Sequence, residues 1–193
     1  MTGNISIIYG PMFSGKTTKL INLYNKDIEE GYRCLAINYR LDNRYSKNLE
    51  DNNYIFSHDG EKIECISIIK LDELTNNLDN LERLNNSDKI YINEGQFFSE
   101  LLEWCLYVIN YLNKDIIICG LDLNYKREIF GDILKLLPYA KFKYKMNSKC
   151  HTKDCKNSSI YSYRLVKDKN NIMIGTNEYI ALCESCFNLR MVA

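Results

Sequence analysis

Ile5-Ser6-Ile7-Ile8-Tyr9-Gly10-Pro11-Met12-Phe13-Ser14-Gly15-Lys16-Thr17-Thr18 is the stretch that decides the fold. Five residues, four of them apolar or aromatic, read as a buried strand, and residues 10–17 then fit every position of the pattern G-x-x-x-x-G-K-[ST]. Each residue type has a chemical reason to be there. Glycines let the chain curl so that successive N–H groups face one point, where phosphate oxygens sit without a Cβ in the way. The helix that starts at Lys16 adds the positive end of its dipole. Lys16 is placed for the β and γ phosphates, and the Thr17 hydroxyl is a candidate Mg²⁺ ligand. The candidate ATP and Mg²⁺ site is therefore Gly10, Pro11, Met12, Phe13, Ser14, Gly15, Lys16, Thr17 and Thr18.

Outward from this loop, strand-like and helix-like stretches alternate. A helix is predicted from about Lys16 to Glu30, stopped by Gly31. Strands are predicted at Cys34–Asn38, Ile63–Ile68, Lys89–Asn93 and Asp115–Leu121. Leu71–Asn86 reads as one helix, and Leu101 to Leu112 repeats apolar residues at helical spacing. Apolar strands without polar alternation suit a sheet buried on both faces. The predicted fold is α/β: a parallel sheet flanked by helices. After Met146 the rhythm breaks into polar, basic and short β-like runs at Ser159–Val166, Asn171–Ile174 and Tyr179–Leu182. The expectation is a phosphate-binding domain over 1–146 and a small β-rich, zinc-binding lobe over 147–193.

The fourth strand ends Ile92-Asn93-Glu94-Gly95-Gln96. A phosphate-loop fold needs an acid near Mg²⁺ at that sheet edge. Here the first position is the neutral Asn93, which offers an oxygen but no charge. The carboxylate follows at Glu94, the candidate general base beside the γ-phosphate.

The eight cysteines divide into two sets. Cys34, Cys65, Cys105 and Cys119 stand singly in apolar runs, as small hydrophobes do. Cys150-x₄-Cys155 and Cys183-x₂-Cys186, separated by 27 residues, have the form of a four-thiolate zinc site. His151 is an alternative ligand, and unmetallated thiols are the other reading. A closed four-ligand site would be structural and would fold a segment too small to bury a core.

Formal net charge is zero, which argues against a polyanion partner. The charge is nonetheless uneven. Residues 72–103 carry 8 acidic and 2 basic side chains, and residues 141–169 carry 9 basic and 2 acidic. Solvated faces explain such blocks; a neighbouring subunit or nucleic acid is the sharper alternative. No stretch reads as an export signal or membrane span, so the expected location is cytoplasmic.

Taken together, Gly10–Thr18, Asp42-Asn43-Arg44-Tyr45-Ser46, Ser57-His58-Asp59, Glu94-Gly95-Gln96-Phe97-Phe98, Leu121-Asp122 through Phe130-Gly131, and the two cysteine pairs occur in the order of the thymidine kinases of the cellular and poxvirus type. The chain resembles that family from about Ile5 to Phe187. The resemblance implies transfer of the γ-phosphoryl of ATP to the 5′-hydroxyl of thymidine, with Glu94 as base and Asp42 and Arg44 near the phosphates and acceptor. It implies a base pocket from Met12, Phe97, Leu121, Tyr125 and Phe130. A lasso over Ser162–Tyr179 would wrap the base, with Ser162, Ile174, Gly175 and Tyr179 in contact. It also implies a homotetramer; from the neutral net charge no nucleic-acid partner is expected. The sequence departs from the family at Asn93, at the longer first cysteine knuckle, at Tyr125, and at Ile174-Gly175-Thr176-Asn177. A P-loop ATPase acting with nucleic acid is the rival reading of the same phosphate loop and Glu94. A zinc-bearing nucleic-acid-binding module is a second.

Overall fold

The computed structural model describes residues 2–42, 53–166, 175 and 177–192. In chain order its main elements are β1 (Ile5–Tyr9), α1 (Lys16–Glu29), β2 (Cys34–Tyr39), β3 (Tyr54–Phe56), β4 (Lys62–Glu64), β5 (Ile66–Ile68), α2 (Glu73–Asn76), α3 (Leu78–Asn86) and β6 (Lys89–Ile92). There follow α4 (Leu101–Tyr107, continued as a wider turn over Val108–Leu112), β7 (Asp115–Gly120), β8 (Ala140–Lys145), β9 (Ser148–Lys149), β10 (Ser158–Ser159), β11 (Tyr161–Arg164), β12 (Tyr179–Leu182) and α5 (Glu184–Val192).

Six strands form one sheet in the order β5-β2-β6-β7-β1-β8, every neighbouring pair parallel. The sheet is buried on both faces, as its unbroken apolar strands require. Ile5, Ile7, Leu35, Ile37, Ile90, Ile92, Ile116 and Ile118 face one side, packed with Leu74, Leu84, Leu101 and Cys105 of α2–α4. Ile8, Ala36, Tyr91, Ile117 and Cys119 face the other, against Leu20 and Ile21 of α1 and Ile55 and Ile63 of the β3–β4 hairpin. The period of two in the strands thus sorts residues into two cores. Burial pushes the Cys65 thiol up to about 12 and raises Cys105 as well, as expected of thiols that pack rather than react.

Two predicted elements of this sheet and its helices divide, and one strand is additional. Ile63–Ile68 is two strands: β4 pairs antiparallel with β3, while β5 turns into the main sheet beside β2. Leu71–Asn86 is two helices, because Asn77 adopts an extended backbone and its side chain accepts the Asn80 N–H as an N-cap. β8, absent from the prediction, is the sixth strand. Its Lys141, Phe142 and Lys143 are exposed because it lies on the sheet edge, so it lacks the apolar run that marks an inner strand.

Beyond β8 the strands are short. β9 pairs with β10 and β11 with β12, both antiparallel. Tyr161 and Tyr163 on one face of β11 pack with Leu182, Cys183 and Phe187 in a separate small core. Ser162 and Arg164, on the opposite face, are also buried. The predicted run Asn171–Ile174 lies outside the described residues.

Candidate active site

At the carboxyl ends of β1, β2 and β6 lies a cleft of about 420 Å³. Met12 to Thr18 form one wall, and Asn38, Asp42, Asn93, Glu94 and Leu121 complete the inner part. Gly10 and Gly15 adopt positive φ (144° and 77°), the conformations a curled loop demands. A Cβ on Gly10 would come within 2.1 Å of the Met146 carbonyl oxygen, so no other residue fits where the loop leaves the sheet. Lys16 is buried and its ammonium donates to the Pro11 carbonyl at 2.6 Å and reaches the Ser14 hydroxyl at 3.4 Å. That bends the side chain back over the loop, toward the space a phosphate would fill.

The tip of β6 supplies the other wall. Asn93 is nearly inaccessible (3% exposed), and its amide is held from two sides. Its Nδ2 donates to Asn38 Oδ1 at 2.9 Å, and its Oδ1 accepts from Cys119 Sγ at 3.0 Å. The same oxygen meets the Thr17 hydroxyl at 3.4 Å. Two hard oxygen donors facing each other beside a phosphate loop fit a Mg²⁺ ion; both are neutral, Asn93 standing where an acid is usual.

Glu94 follows in the left-handed region (φ 55°), a conformation that costs a non-glycine residue about 1–2 kcal/mol and turns its side chain out of the strand. The carboxylate accepts a hydrogen bond from Gln96 Nε2 at 2.5 Å. Gln96 is itself anchored, its Oε1 accepting the Leu121 N–H at 3.0 Å. Gly120 makes room for it, since a Cβ there would lie 2.3 Å from Gln96 Oε1. The next residue, Phe97, stacks on Tyr39 (4.9 Å between centroids) and meets Phe130 edge-on at 5.4 Å. Strand, turn and aromatic pair thus place one carboxylate at the mouth of the loop.

Other candidates come together from distant sequence. Ser162 Oγ accepts the Met12 N–H at 3.0 Å, tying β11 to the phosphate loop. Tyr179 and Tyr125 converge through Arg164, which donates to the Tyr179 hydroxyl at 2.8 and 3.2 Å and lies 3.7 Å over the Tyr125 ring. Gly175 is described and half-buried; Arg44 and Ile174 lie outside the described residues. The structure also adds lining residues that sequence reasoning does not place here. Tyr54, Phe56, His58 and Asp59 of the β3–β4 hairpin face the cleft, and Asp59 accepts from the Thr18 hydroxyl at 3.2 Å. In the sequence Arg164 stands out only as part of a basic run. The alternation Tyr-Ser-Tyr-Arg is the available signal, since it puts the arginine on the face of Ser162.

The paired cysteines do assemble. The Sγ atoms of Cys150, Cys155, Cys183 and Cys186 all lie within 4.8 Å of one another. The Cys155–Cys183 and Cys155–Cys186 separations are 3.8 and 3.7 Å. Four ligands at ~2.3 Å in a tetrahedron stand about 3.8 Å apart, so the cluster fits zinc. The Cys183 N–H and Asn157 Nδ2 point at two of the sulfurs, at 3.4 and 3.8 Å. His151 is exposed and outside the cluster. Among the described residues no helix is long and apolar enough to cross a membrane.

A parallel sheet with a phosphate loop at its edge, and a carboxylate held opposite, defines a P-loop nucleotide-binding protein. Comparison with known proteins narrows the class. A family profile described as thymidine kinase matches residues 3–187. The thymidine kinase of Yaba monkey tumor virus is 36% identical over 187 residues, covering 96% of this chain and 95% of its own. That of sheeppox virus is 35% identical over 188 residues (97% and 98% covered), and thymidine kinase 1 of Dictyostelium discoideum is 32% identical over 189 (97% and 79%). The chain belongs to the thymidine kinase family.

Proposed function

We propose that this chain transfers the γ-phosphoryl of ATP to the 5′-hydroxyl of thymidine, giving dTMP, with deoxyuridine as a second acceptor. One observation carries the reading: the Glu94 carboxylate, braced by Gln96, shares a single cleft with Lys16 and Thr17. A base at that position accepts the proton of the attacking hydroxyl as the oxygen approaches phosphorus. Lys16 and the loop N–H groups take up charge on the transferred phosphoryl, exchanging loop oxygens for phosphate oxygens. Asp42 borders the same cleft and, with Arg44, is assigned to the phosphates and acceptor. Met12, Phe97, Leu121, Tyr125 and Phe130 are assigned to the base, and Ser162, Ile174, Gly175 and Tyr179 to the lasso around it. Support for the base assignments comes from the Phe97–Phe130 contact, the bond of Ser162 to Met12, and the convergence of Tyr125 and Tyr179 on Arg164.

Thr17 and Asn93 would hold Mg²⁺, which supplies positive charge at the β and γ phosphates when bound. Cys150, Cys155, Cys183 and Cys186 would hold zinc, which has no open position there and so stabilises the lobe without entering the chemistry. The division at residues 146 and 147 goes with this assignment, supported by the separate core around Phe187. A cytoplasmic homotetramer without a nucleic-acid partner completes the proposal. Family membership disfavours the nucleic-acid ATPase. ADP release measured with and without thymidine is the test: turnover that needs thymidine is expected. Turnover driven by nucleic acid and indifferent to nucleoside would overturn the assignment.

A further inference from the structure

The loop 121–131 and the cysteine-bearing lobe are joined by contacts of two arginines with aromatic rings, one arginine reaching in each direction. Arg164, on β11 of the lobe, lies 3.7 Å over the ring of Tyr125 in the loop. Arg127, in the loop, lies 4.8 Å over Phe187 and 5.5 Å over Tyr161 in the lobe, and donates to Asn188 at 3.0 Å. Phe187 is 1% exposed and packs in one core with Cys183 and the other sulfurs. Each segment thus lends one cation to the other's aromatic surface.

We infer that Arg127 and Arg164 are positioning residues for the acceptor nucleoside, clamping the 121–131 loop to the lobe so that Tyr125, Ser162 and Tyr179 are presented as one surface. The inference rests on the proposed kinase reaction and deepens it. Three features carry the claim. Arg164 is buried at 7% exposure, with its guanidinium over one ring and hydrogen-bonded to the hydroxyl of another. A planar, delocalised cation suits both contacts at once, and an ammonium suits neither as well. β11 is also fastened through Ser162 to Met12, the residue of the phosphate loop assigned to the base, so a shift of the strand is felt at the acceptor side of the cleft. Finally, the clamp joins loop to lobe, whereas the donor side is built by the phosphate loop and the β3–β4 hairpin, where Thr18 meets Asp59. Losing the clamp should therefore weaken acceptor binding selectively.

The experiment uses the full chain with thymidine and ATP as substrates and a non-hydrolysable ATP analogue for melting curves. Arg164→Met is expected to raise the thymidine KM about tenfold and Arg127→Met about threefold, with the ATP KM unmoved. At one fixed thymidine concentration the stabilising shift in melting temperature should shrink in both variants, more in Arg164→Met, while the ATP analogue keeps its own. Arg164→Lys is expected not to restore the thymidine KM. A thymidine KM within twofold of wild type in Arg164→Met, equal rises in both KM values, or rescue by lysine would overturn the clamp. If Arg164→Met does not fold, Arg127→Met decides by the same split, an unchanged thymidine KM being the refuting result. Wild-type chain measured alongside separates the two claims, because absence of thymidine-dependent turnover there defeats the kinase reading and not the clamp alone.

Discussion

Replacing Glu94 by glutamine tests the catalytic geometry with little disturbance to the fold. The two side chains have the same shape, and the substituted amide can turn its oxygen toward Gln96 Nε2, which now donates to the carboxylate at 2.5 Å. One charge-assisted hydrogen bond becomes a neutral one, a loss of about 1 kcal/mol. Removing a carboxylate from a position only 7% exposed relieves desolvation of similar size, so the melting temperature should barely move. The rate should respond far more. Loss of a positioned general base lowers turnover about 10²- to 10⁴-fold, equivalent to roughly 3–5 kcal/mol of activation free energy. ADP release under saturating thymidine and ATP, with a melting curve on the same preparation, separates the two effects. Turnover within tenfold of wild type in a variant that melts normally would refute the assignment of Glu94 as base.

Three further outcomes are expected. Asn93→Asp should lower the Mg²⁺ concentration for half-maximal turnover about fivefold, the factor worth ~1 kcal/mol, since a carboxylate replaces a neutral oxygen opposite Thr17 and Asn38 can turn its amide to donate; no gain in Mg²⁺ affinity or turnover would count against the Thr17–Asn93 site. Atomic emission should find one zinc per chain, and Cys186→Ser should lose it together with ordered structure in the lobe, read as new proteolytic cleavage after residue 146; a metal-free wild type with an intact lobe would contradict this. The Arg33 guanidinium and then its backbone N–H hold the Asp88 carboxyl well below its usual range. A depressed folded value stabilises the protein above the unfolded value of about 3.9, and that contribution is lost as pH falls through the folded value. Asp88→Asn should therefore shallow the acid limb of a melting-temperature profile below about pH 4, and an unchanged limb would remove Asp88 from the account.

The parts of the molecule that read clearly from sequence are those in which local pattern and final environment coincide. Residues 10–17 make their site almost alone, because loop N–H groups and one lysine come from consecutive positions. The four cysteines lie at short range within each pair, so spacing announces them before their assembly is visible. β8 fails that condition. Its Lys-Phe-Lys-Tyr-Lys alternation is what an edge strand tolerates, and as a string it looks like a charge cluster. The contribution of Tyr54 and Phe56 to the cleft is hidden for another reason. It depends on the β3–β4 hairpin packing beside α1, a tertiary choice that no motif encodes. Gln96 can be quoted as part of a motif, but its work as a bridge from Leu121 to Glu94 needs three dimensions.

β11 sets a limit on how this chain can drift. Its four residues serve two masters by parity: tyrosines toward the sulfur cluster, serine toward the phosphate loop and arginine toward Tyr125 and Tyr179. One residue inserted within the strand would reverse every side chain after it, driving the arginine into the cysteine core. Length changes are tolerable upstream, in the turn between Cys150 and Cys155, where an extra loop can bulge into solvent without altering which way the strand faces.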